Sequence, residues 1–179
     1  MTRVLIAGIG NVLLGDDGVG PYVVRRLDSR YSFEQGVELE DLGTPALDFI
    51  DHIAGLEALI VVDSVENGQA PGTITLYRNQ DLVRNAPAVR MDTHSPAITE
   101  SLLAADVFFG MPPREVLLVG ISGGSYAAGC NLSEIVMSAV EPAVRAVLAE
   151  LDRLAISYQK KQATNSGIWW SAVAQAQSA

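Results

Sequence analysis

Residues 4–21 read VLIAGIGNVLLGDDGVGP and have the pattern of a buried strand that leads through a glycine-rich loop into a helix. The apolar residues before Gly8 are typical of a central strand in a parallel sheet. From about Gly18 to Tyr31, apolar residues recur at helical spacing, as in a helix that packs on a sheet. This strand–loop–helix unit indicates an α/β domain.

The same alternation continues along the chain. Four further strands are predicted at Val37–Leu42, Ala58–Val62, Gly72–Arg78 and Glu115–Ser122. Helices are predicted at 44–53, with Thr44 as N-cap and Pro45 as the first helical residue, at 95–105, and from about 133 to 154. The order βαβαββαβα predicts one α/β domain over residues 1–156, with a mostly parallel sheet covered by helices on both faces.

Residues 157–179 differ from the rest of the chain in composition. Gln, Lys, Ala and Ser dominate apart from Trp169 and Trp170, and no periodicity is sustained. We expect this segment to be a loosely ordered C-terminal tail.

The overall composition limits the class of protein. The 179 residues are 49% apolar and 18% charged, which favours a folded domain over a disordered chain. No apolar run reaches the roughly 18–20 uncharged residues of a membrane helix, and the first residues do not resemble a signal peptide. The net charge of −9 disfavours nucleic acid as a partner, and the single cysteine, Cys130, gives no support for an oxidising compartment. We therefore expect a cytoplasmic protein that binds neither nucleic acid nor membranes.

Three segments that could carry chemistry lie where predicted strands end. Asp16 and Asp17 occupy the loop after the first strand, Asp63 directly follows an apolar strand, and Asp92 and His94 precede the helix at 95–105. Ligands of open α/β sheets bind at the carboxyl ends of the strands. Two carboxylates and an imidazole gathered there could hold a divalent cation with coordination positions open.

Each of these residues also has an ordinary structural explanation. Asp16 is expected mainly to cap the helix that follows, and because two adjacent residues cannot both cap one helix, Asp17 is left for another role. Asp63 could be a turn residue, although a carboxylate so close to the core normally has a partner or a metal. A loop histidine such as His94 is more often solvated or hydrogen-bonded than a ligand, and we interpret the mid-helix His52 in that way.

The loop also suggests a nucleotide site. Gly8 and Gly10 follow a strand, and Glu40 or Asp41 could hold a ribose, but Leu13 stands where the third glycine of the dinucleotide fingerprint belongs. Two carboxylates about 4 Å apart repel by roughly 1 kcal/mol in water and by about 4 kcal/mol at an effective dielectric of 20. An adjacent aspartate pair therefore disfavours a phosphate and suits a cation. We expect no nucleotide cofactor and keep a nucleotide-binding α/β enzyme as an alternative.

Five short motifs resemble, in order, those of the hydrogenase maturation proteases. They are Gly8-x-Gly10-Asn11 with Gly15-Asp16-Asp17-Gly18-Val19-Gly20-Pro21, Asp41-x-Gly43-Thr44, Val61-Val62-Asp63, Thr93-His94, and Gly129 with Leu132-Ser133. Together they span about residues 3–155. The resemblance implies a twisted five-stranded sheet between helices, a monomer, and a cytoplasmic role in the assembly of [NiFe]-hydrogenase.

The resemblance also implies a reaction. The protein would be an endopeptidase that removes a C-terminal extension from the nickel-loaded large-subunit precursor of a [NiFe]-hydrogenase. Asp17, Asp63 and His94 would be its catalytic and metal-contacting residues, and the precursor would supply the nickel, held by its own cysteines, as the recognition element. The segment after Ser157 and the Asp92 next to His94 have no counterpart in the family pattern.

The way in which the peptide bond breaks is a separate hypothesis. The sequence has no His-Glu-x-x-His helix of a permanent zinc protease. A water activated by the metal or by a carboxylate is the most economical attacking group. A non-catalytic nickel-binding assembly chaperone that uses the same three residues is the second alternative.

Overall fold

The computed structural model describes residues 3–45, 49–85, 88–89 and 98–162. The strands of the described residues are β1 (Val4–Ile9), β2 (Tyr31–Phe33), β3 (Val37–Gly43), β4 (Ala58–Glu66), β5 (Ile74–Arg78), β6 (Ala88–Val89), β7 (Glu115–Ser122) and β8 (Tyr158–Lys160). The helices are α1 (Val19–Arg30), α2 (Phe49–Ile53), α3 (Gln80–Asn85), α4 (Ile98–Phe109) and α5 (Glu134–Arg153), and a 3-10 turn covers Gly15–Gly18.

The main sheet has the strand order β3-β1-β4-β7-β5. Strand β1 pairs in parallel with β3 and β4, and β4 pairs in parallel with β7. Strand β5 is antiparallel to β7, and the short β6 pairs antiparallel with the end of β4. The predicted single α/β domain with a mostly parallel sheet, and the five strands that the family resemblance implies, are confirmed along this path.

Both faces of the sheet are covered by helices, as predicted. Successive side chains of a strand point to opposite faces. In β1, Val4 and Ile6 lie in the apolar cluster that contains α1 and α5, whereas Leu5 and Ala7 lie in the cluster that contains α2 and α4. A strand buried on both faces has to be apolar at every position, which explains the uninterrupted apolar runs in the sequence.

The strand order reverses between β1 and β4. The chain leaves β1 for β3 on one side and returns to β4 on the other side of β1. In open α/β sheets the crevice at such a reversal, at the carboxyl ends of the strands, is the usual ligand site. Asp17 follows β1 and Asp63 lies in β4, so the two predicted carboxylates flank this point.

Several predicted boundaries were wrong: β5 begins at Ile74 rather than Gly72, α4 ends at Phe109 rather than near residue 105, and two further differences concern β4 and α2. Strand β4 does not end before Asp63 but continues to Glu66, because its pairing with β7 extends to Val65 and Ser122. Pro45 is not helical, and α2 begins at Phe49. Asp63 and Ser64 are buried inside β4, whereas the sequence pattern places them after the end of that strand.

The C-terminal segment begins in an ordered form. Tyr158–Lys160 form β8, which pairs antiparallel with β2, and the ring of Tyr158 meets that of Tyr31 edge-on at a centroid distance of 5.8 Å. The prediction of a loose tail was therefore wrong for these residues, because two short strands and an aromatic contact hold them. Trp169 and Trp170 lie outside the described residues.

Two further features of the described chain bear on the kind of protein. Cys130, the sole cysteine of the sequence, is buried in the core, where its carbonyl oxygen accepts a hydrogen bond from the Tyr22 hydroxyl at 2.9 Å. Within the described ranges, no helix has the length and apolar character needed to cross a membrane.

Candidate functional site

The glycines of the first loop allow the protein's own backbone to approach closely. A Cβ atom on Gly10, whose φ is +131°, would lie 1.8 Å from the carbonyl oxygen of Asp17. A Cβ on Gly20 would lie 2.3 Å from the carbonyl oxygens of both Ile9 and Val62, and one on Gly8 would lie 2.6 Å from that of Gly20. These glycines thus join β1, β4 and the start of α1, a role that requires no phosphate.

Asp17 is held in a defined position at this junction. It lies in the 3-10 turn, is half-buried, and its Oδ2 accepts a hydrogen bond from the Asn11 backbone N–H at 2.8 Å. The Asn11 side chain in turn accepts a hydrogen bond from the Leu13 N–H at 2.9 Å. The loop therefore orients the Asp17 carboxylate through short local hydrogen bonds.

Asp63 is the most unusual carboxylate of the described chain. Only 3% of the residue is exposed, Oδ1 accepts a hydrogen bond from the Ser64 N–H at 2.7 Å, and the buried Oδ2 has no hydrogen-bond partner within the described ranges. Burial raises the pKa of Asp63 well above its usual value; the Ser64 hydrogen bond opposes this rise and the Asp17 carboxylate adds to it. Such a carboxylate is stabilised by a proton or by a cation.

Asp16 has a different role from the predicted one. The N-cap of α1 is Gly18, with no side-chain cap, so the expectation that Asp16 caps this helix was wrong. Asp16 is instead fully buried and accepts hydrogen bonds from the backbone N–H groups of Gly124 at 2.9 Å, Ser125 at 2.8 Å and Ser133 at 2.7 Å, and from the Ser133 hydroxyl at 3.0 Å. Ser133 is the N-cap of α5. Asp16 therefore fastens the loop to the opposite side of the site.

The sequence motifs meet at this edge of the sheet through hydrogen bonds. The Gly10 N–H donates to the Gly43 carbonyl at 2.7 Å, and the Gly15 N–H donates to the Gly129 carbonyl at 2.9 Å. The first, second and last motifs are thus joined directly. The third motif contributes Asp63, whose pKa responds to the charge of Asp17. The structure therefore places Asp17 near Asp63, although Asp63 lies within β4 and not after its end as predicted.

His94, the third predicted site residue, and Asp92 lie outside the described residues. Among residues 3–45, 49–85, 88–89 and 98–162, no group of three His, Cys, Asp or Glu side chains is placed to hold a metal ion. The described part of the site therefore contains two of the three predicted ligands. His52 belongs to no such group and lies with its Nδ1 3.3 Å from a carboxylate oxygen of Glu40, the residue considered as a ribose ligand.

A serine with the spacing of a nucleophile elbow escaped the sequence reasoning. Residues 120–124 read Gly-Ile-Ser-Gly-Gly, which fits Gly-x-Ser-x-Gly. Ser122 ends β7, is 2% exposed, and donates its hydroxyl to Oδ1 of Asn67 at 2.8 Å. A loop rather than a helix follows the strand, so the strand–turn–helix context of an elbow is missing and Ser122 has a structural role.

The comparison with known families decides the class of protein. The family model described as hydrogenase maturation protease matches residues 21–150. The chain belongs to this family. The expectation of a peptidase that acts in hydrogenase maturation is thereby confirmed.

Individual maturation proteases and related proteins resemble the chain over most of its length. The hydrogenase expression/formation protein HoxM of Azotobacter vinelandii is 39% identical over 147 residues, which are 82% of this chain and 70% of that protein. The hydrogenase 2 maturation protease of Escherichia coli is 32% identical over 153 residues, or 83% of this chain and 90% of that protein. The solved structure of the Escherichia coli hydrogenase maturating endopeptidase HybD superposes with a TM-score of 0.82 at 29% identity, covering 89% of this chain and 98% of that chain.

Proposed function

We propose that this maturation protease removes a C-terminal extension from the nickel-loaded large-subunit precursor of a [NiFe]-hydrogenase, and that Asp17, Asp63 and His94 contact the nickel that the precursor carries. The observation that carries the proposal is the state of Asp63, which is buried, has one unpartnered oxygen within the described ranges, and lies near Asp17. A divalent cation would offset both the lost hydration of Asp63 and its repulsion by Asp17.

The position of the chain on either side of His94 supports its part in the proposal. Val89 pairs with Val65, which is two residues beyond Asp63 in β4. His94 follows Val89 by five residues, and five residues span at most about 18 Å. The segment that begins at β6 is therefore long enough to bring the imidazole to the Asp63 carboxylate before α4 begins at Ile98.

The proposed role of the nickel is that of a checkpoint. The carboxylates of Asp17 and Asp63 repel each other. A precursor without the metal brings no cation to offset this repulsion, so it should bind weakly at the site. A nickel-loaded precursor gains ligands from the protease, and the scissile bond is thereby fixed beside Asp17 and Asp63. A cytoplasmic site of action belongs to the proposal, since the lone cysteine of the chain cannot form an internal disulfide.

The cleavage step is a hydrolysis. The oxygen of a water, activated by the metal or by a carboxylate, attacks the carbonyl carbon of the scissile peptide bond. The C–N bond breaks, the leaving amine takes up both protons of the water and is released as an ammonium group, and the carbonyl side is released as a carboxylate. The bond change requires no further co-reactant.

The proposal is tested with the purified protein and a nickel-loaded large-subunit precursor, whose mass is followed over time. We expect the loss of a defined C-terminal peptide, and no loss when nickel is withheld during precursor assembly. An unchanged mass despite tight binding would favour the nickel-binding chaperone. Cleavage that proceeds equally without nickel would contradict the proposed role of nickel as a checkpoint.

Substitutions test Asp17 and His94 separately from the fold. Asp17→Asn and His94→Ala should abolish cleavage while the thermal unfolding transition is retained. The matched control is His52→Ala, which removes the other histidine of the chain and should leave cleavage unchanged. Normal cleavage by either site variant would contradict the assignment of that residue.

A further inference from the structure

Two leucines next to the site are exposed without a structural reason. Leu13 is 54% exposed and Leu14 is 37% exposed. Both lie in the loop that carries Asp17, and neither belongs to the apolar clusters on the two faces of the sheet. An apolar side chain that is held in water beside a functional site has free energy to gain from an apolar ligand.

The backbone of these leucines is already occupied. The Leu13 N–H donates to Oδ1 of Asn11 at 2.9 Å, and the Leu13 carbonyl accepts from the Gly129 N–H at 2.9 Å. The Leu14 N–H donates to the Asn11 carbonyl at 3.0 Å, and the Leu14 carbonyl accepts from the Asp17 N–H at 3.2 Å. An extended peptide therefore cannot pair with the N–H groups of Leu13 and Leu14, and their side chains are what these two residues offer to a ligand.

The same hydrogen bonds fix the leucines relative to the site. Leu13 is joined to the Asn11 side chain, and the Asn11 N–H is joined to the Asp17 carboxylate. The adjacent backbone is tied down by the Gly15–Gly129 hydrogen bond. Because the backbone of both leucines is held in this way, less loop entropy is lost on binding than in a mobile loop, which is the property of a preorganised contact. Leu13 and Leu14 precede Asp17 by four and three positions in the same loop, so we expect a polypeptide bound at Asp17 to lie near them.

We propose that Leu13 and Leu14 bind an apolar side chain of the precursor polypeptide close to the scissile bond and so help to select which precursor is cut. This inference rests on the proposed function and adds to it the chemistry of substrate recognition. Binding of the nickel distinguishes a loaded precursor from an unloaded one, whereas the leucines recognise the polypeptide that surrounds the metal.

The chain offers a matched control on another element. Leu103 lies on α4 and is 59% exposed, close to the exposure of Leu13. Exposed apolar residues also lie at the end of α4, among them Val107 and Phe108. If the precursor docked on any exposed apolar surface, Leu103 would contribute as much as Leu13. If it docks at the site loop, only Leu13 and Leu14 contribute.

The experiment measures kcat and KM for cleavage of the nickel-loaded precursor by wild-type protein, Leu13→Ser, Leu14→Ser, Leu13→Met and Leu103→Ser. We expect KM to rise about tenfold in each site-loop serine variant, which corresponds to about 1.4 kcal/mol, with kcat little changed. Leu13→Met keeps an apolar side chain and should stay within about twofold of wild type, as should Leu103→Ser. Thermal unfolding confirms that each variant is folded.

Several outcomes would overturn the inference. A wild-type KM in both site-loop serine variants would show that the leucines do not bind the precursor. A fall in kcat at constant KM would assign them to loop geometry instead, and an equal defect in Leu103→Ser would place the docking surface elsewhere. Absence of cleavage by the wild-type protein would refute the proposed function itself, which distinguishes that failure from failure of this inference alone.

Discussion

Asp16 and Asp17 are adjacent, but their environments are opposite. Asp16 is fully buried and accepts four hydrogen bonds from the far side of the site, whereas Asp17 is half-buried and close enough to Asp63 to raise its pKa. The sequence could indicate that one residue of the pair is structural. It could not indicate how, because the Ser133 partner of Asp16 is 117 positions away along the chain.

Substitution of Asp16 should destabilise the protein. In Asp16→Ala, three backbone N–H groups and the Ser133 hydroxyl lose a charged acceptor, and we expect a loss of about 3–5 kcal/mol in the free energy of unfolding. Urea unfolding measures it. Asp106→Asn, on the exposed side of α4, should change stability by about 0.5 kcal/mol or less. An equally small effect for Asp16→Ala would contradict the network.

Substitution of Asp63 should have the opposite effect and stabilise the free protein. Because its pKa is raised in the folded protein, the folded state binds the proton more tightly than the unfolded chain, and stability is lost as the pH rises through the raised pKa. Asp63→Asn resembles the protonated form. We expect it to stabilise the free protein at neutral pH by about 1.4 kcal/mol for each tenfold change in proton affinity that it removes.

The measurement for Asp63 is urea unfolding of wild type and Asp63→Asn at a series of pH values that begins at about 4, the usual carboxyl pKa, and continues to higher pH. The wild-type stability should fall with pH more steeply than that of the variant. The variant should also lose cleavage under the proposed function. A variant that is less stable than wild type at every pH would show that Asp63 has a partner that stabilises its charge.

At the scale of elements, the apolar patterns sufficed to locate β1, β4, β7, α1 and α5, because these strands are mostly buried and each helix buries one face with a clear period. The predicted strand ends suggested Asp17 and Asp63 as site residues, although β4 continues beyond Asp63 to Glu66. The pattern failed where tertiary contacts override local signals. Ser122 matches a catalytic spacing but is a buried strand residue, and β8 exists because β2 is there to pair with it.

The junction between β1 and α1 should tolerate no side chain at Gly20. A Cβ there would lie 2.3 Å from two backbone carbonyl oxygens in different strands, and neither strand can move without loss of the sheet. We expect Gly20→Ala to destabilise the protein by about 4 kcal/mol or more. Gly110→Ala, with a φ of +62° and no atom within 4 Å of the added Cβ, should be destabilised by about 1 kcal/mol. Thermal unfolding of both variants compares the two effects, and equal losses would contradict the close approach.

At the scale of the whole molecule, the β2–β8 pair ties the end of α1 to the chain that follows α5. The Glu34 N–H donates to the Ser157 carbonyl at 3.1 Å, and Lys161 N–H donates to the Arg30 carbonyl at 2.7 Å. Composition alone indicated a tail from residue 157 onward, because three residues are too few to show a period. The ordered domain therefore extends beyond the boundary that the sequence predicted.

Removal of β8 should show how much the β2–β8 pairing contributes to the free energy of unfolding. Relative to a chain that ends at Gln162, a chain that ends at Ser157 loses the pairing with β2 and the ring contact between Tyr158 and Tyr31. We expect a loss of about 2 kcal/mol in the free energy of unfolding, from a few hydrogen bonds and one aromatic pair. Guanidinium unfolding of the two truncated chains gives the difference, and coincident curves would show that β8 adds nothing to the domain.

The buried position of Cys130 affects what happens after the bond is cut. Thiolates are strong ligands for late first-row metals, and the only thiol of this protein is enclosed in its core. In the proposed reaction the enzyme therefore offers the ion oxygen atoms and one imidazole, while the cysteines of the precursor keep the tighter hold. Under this proposal we expect the ion to leave with the trimmed product, so that the enzyme can process another precursor. A thiol in the cleft would bind the metal more tightly and slow its release with the product.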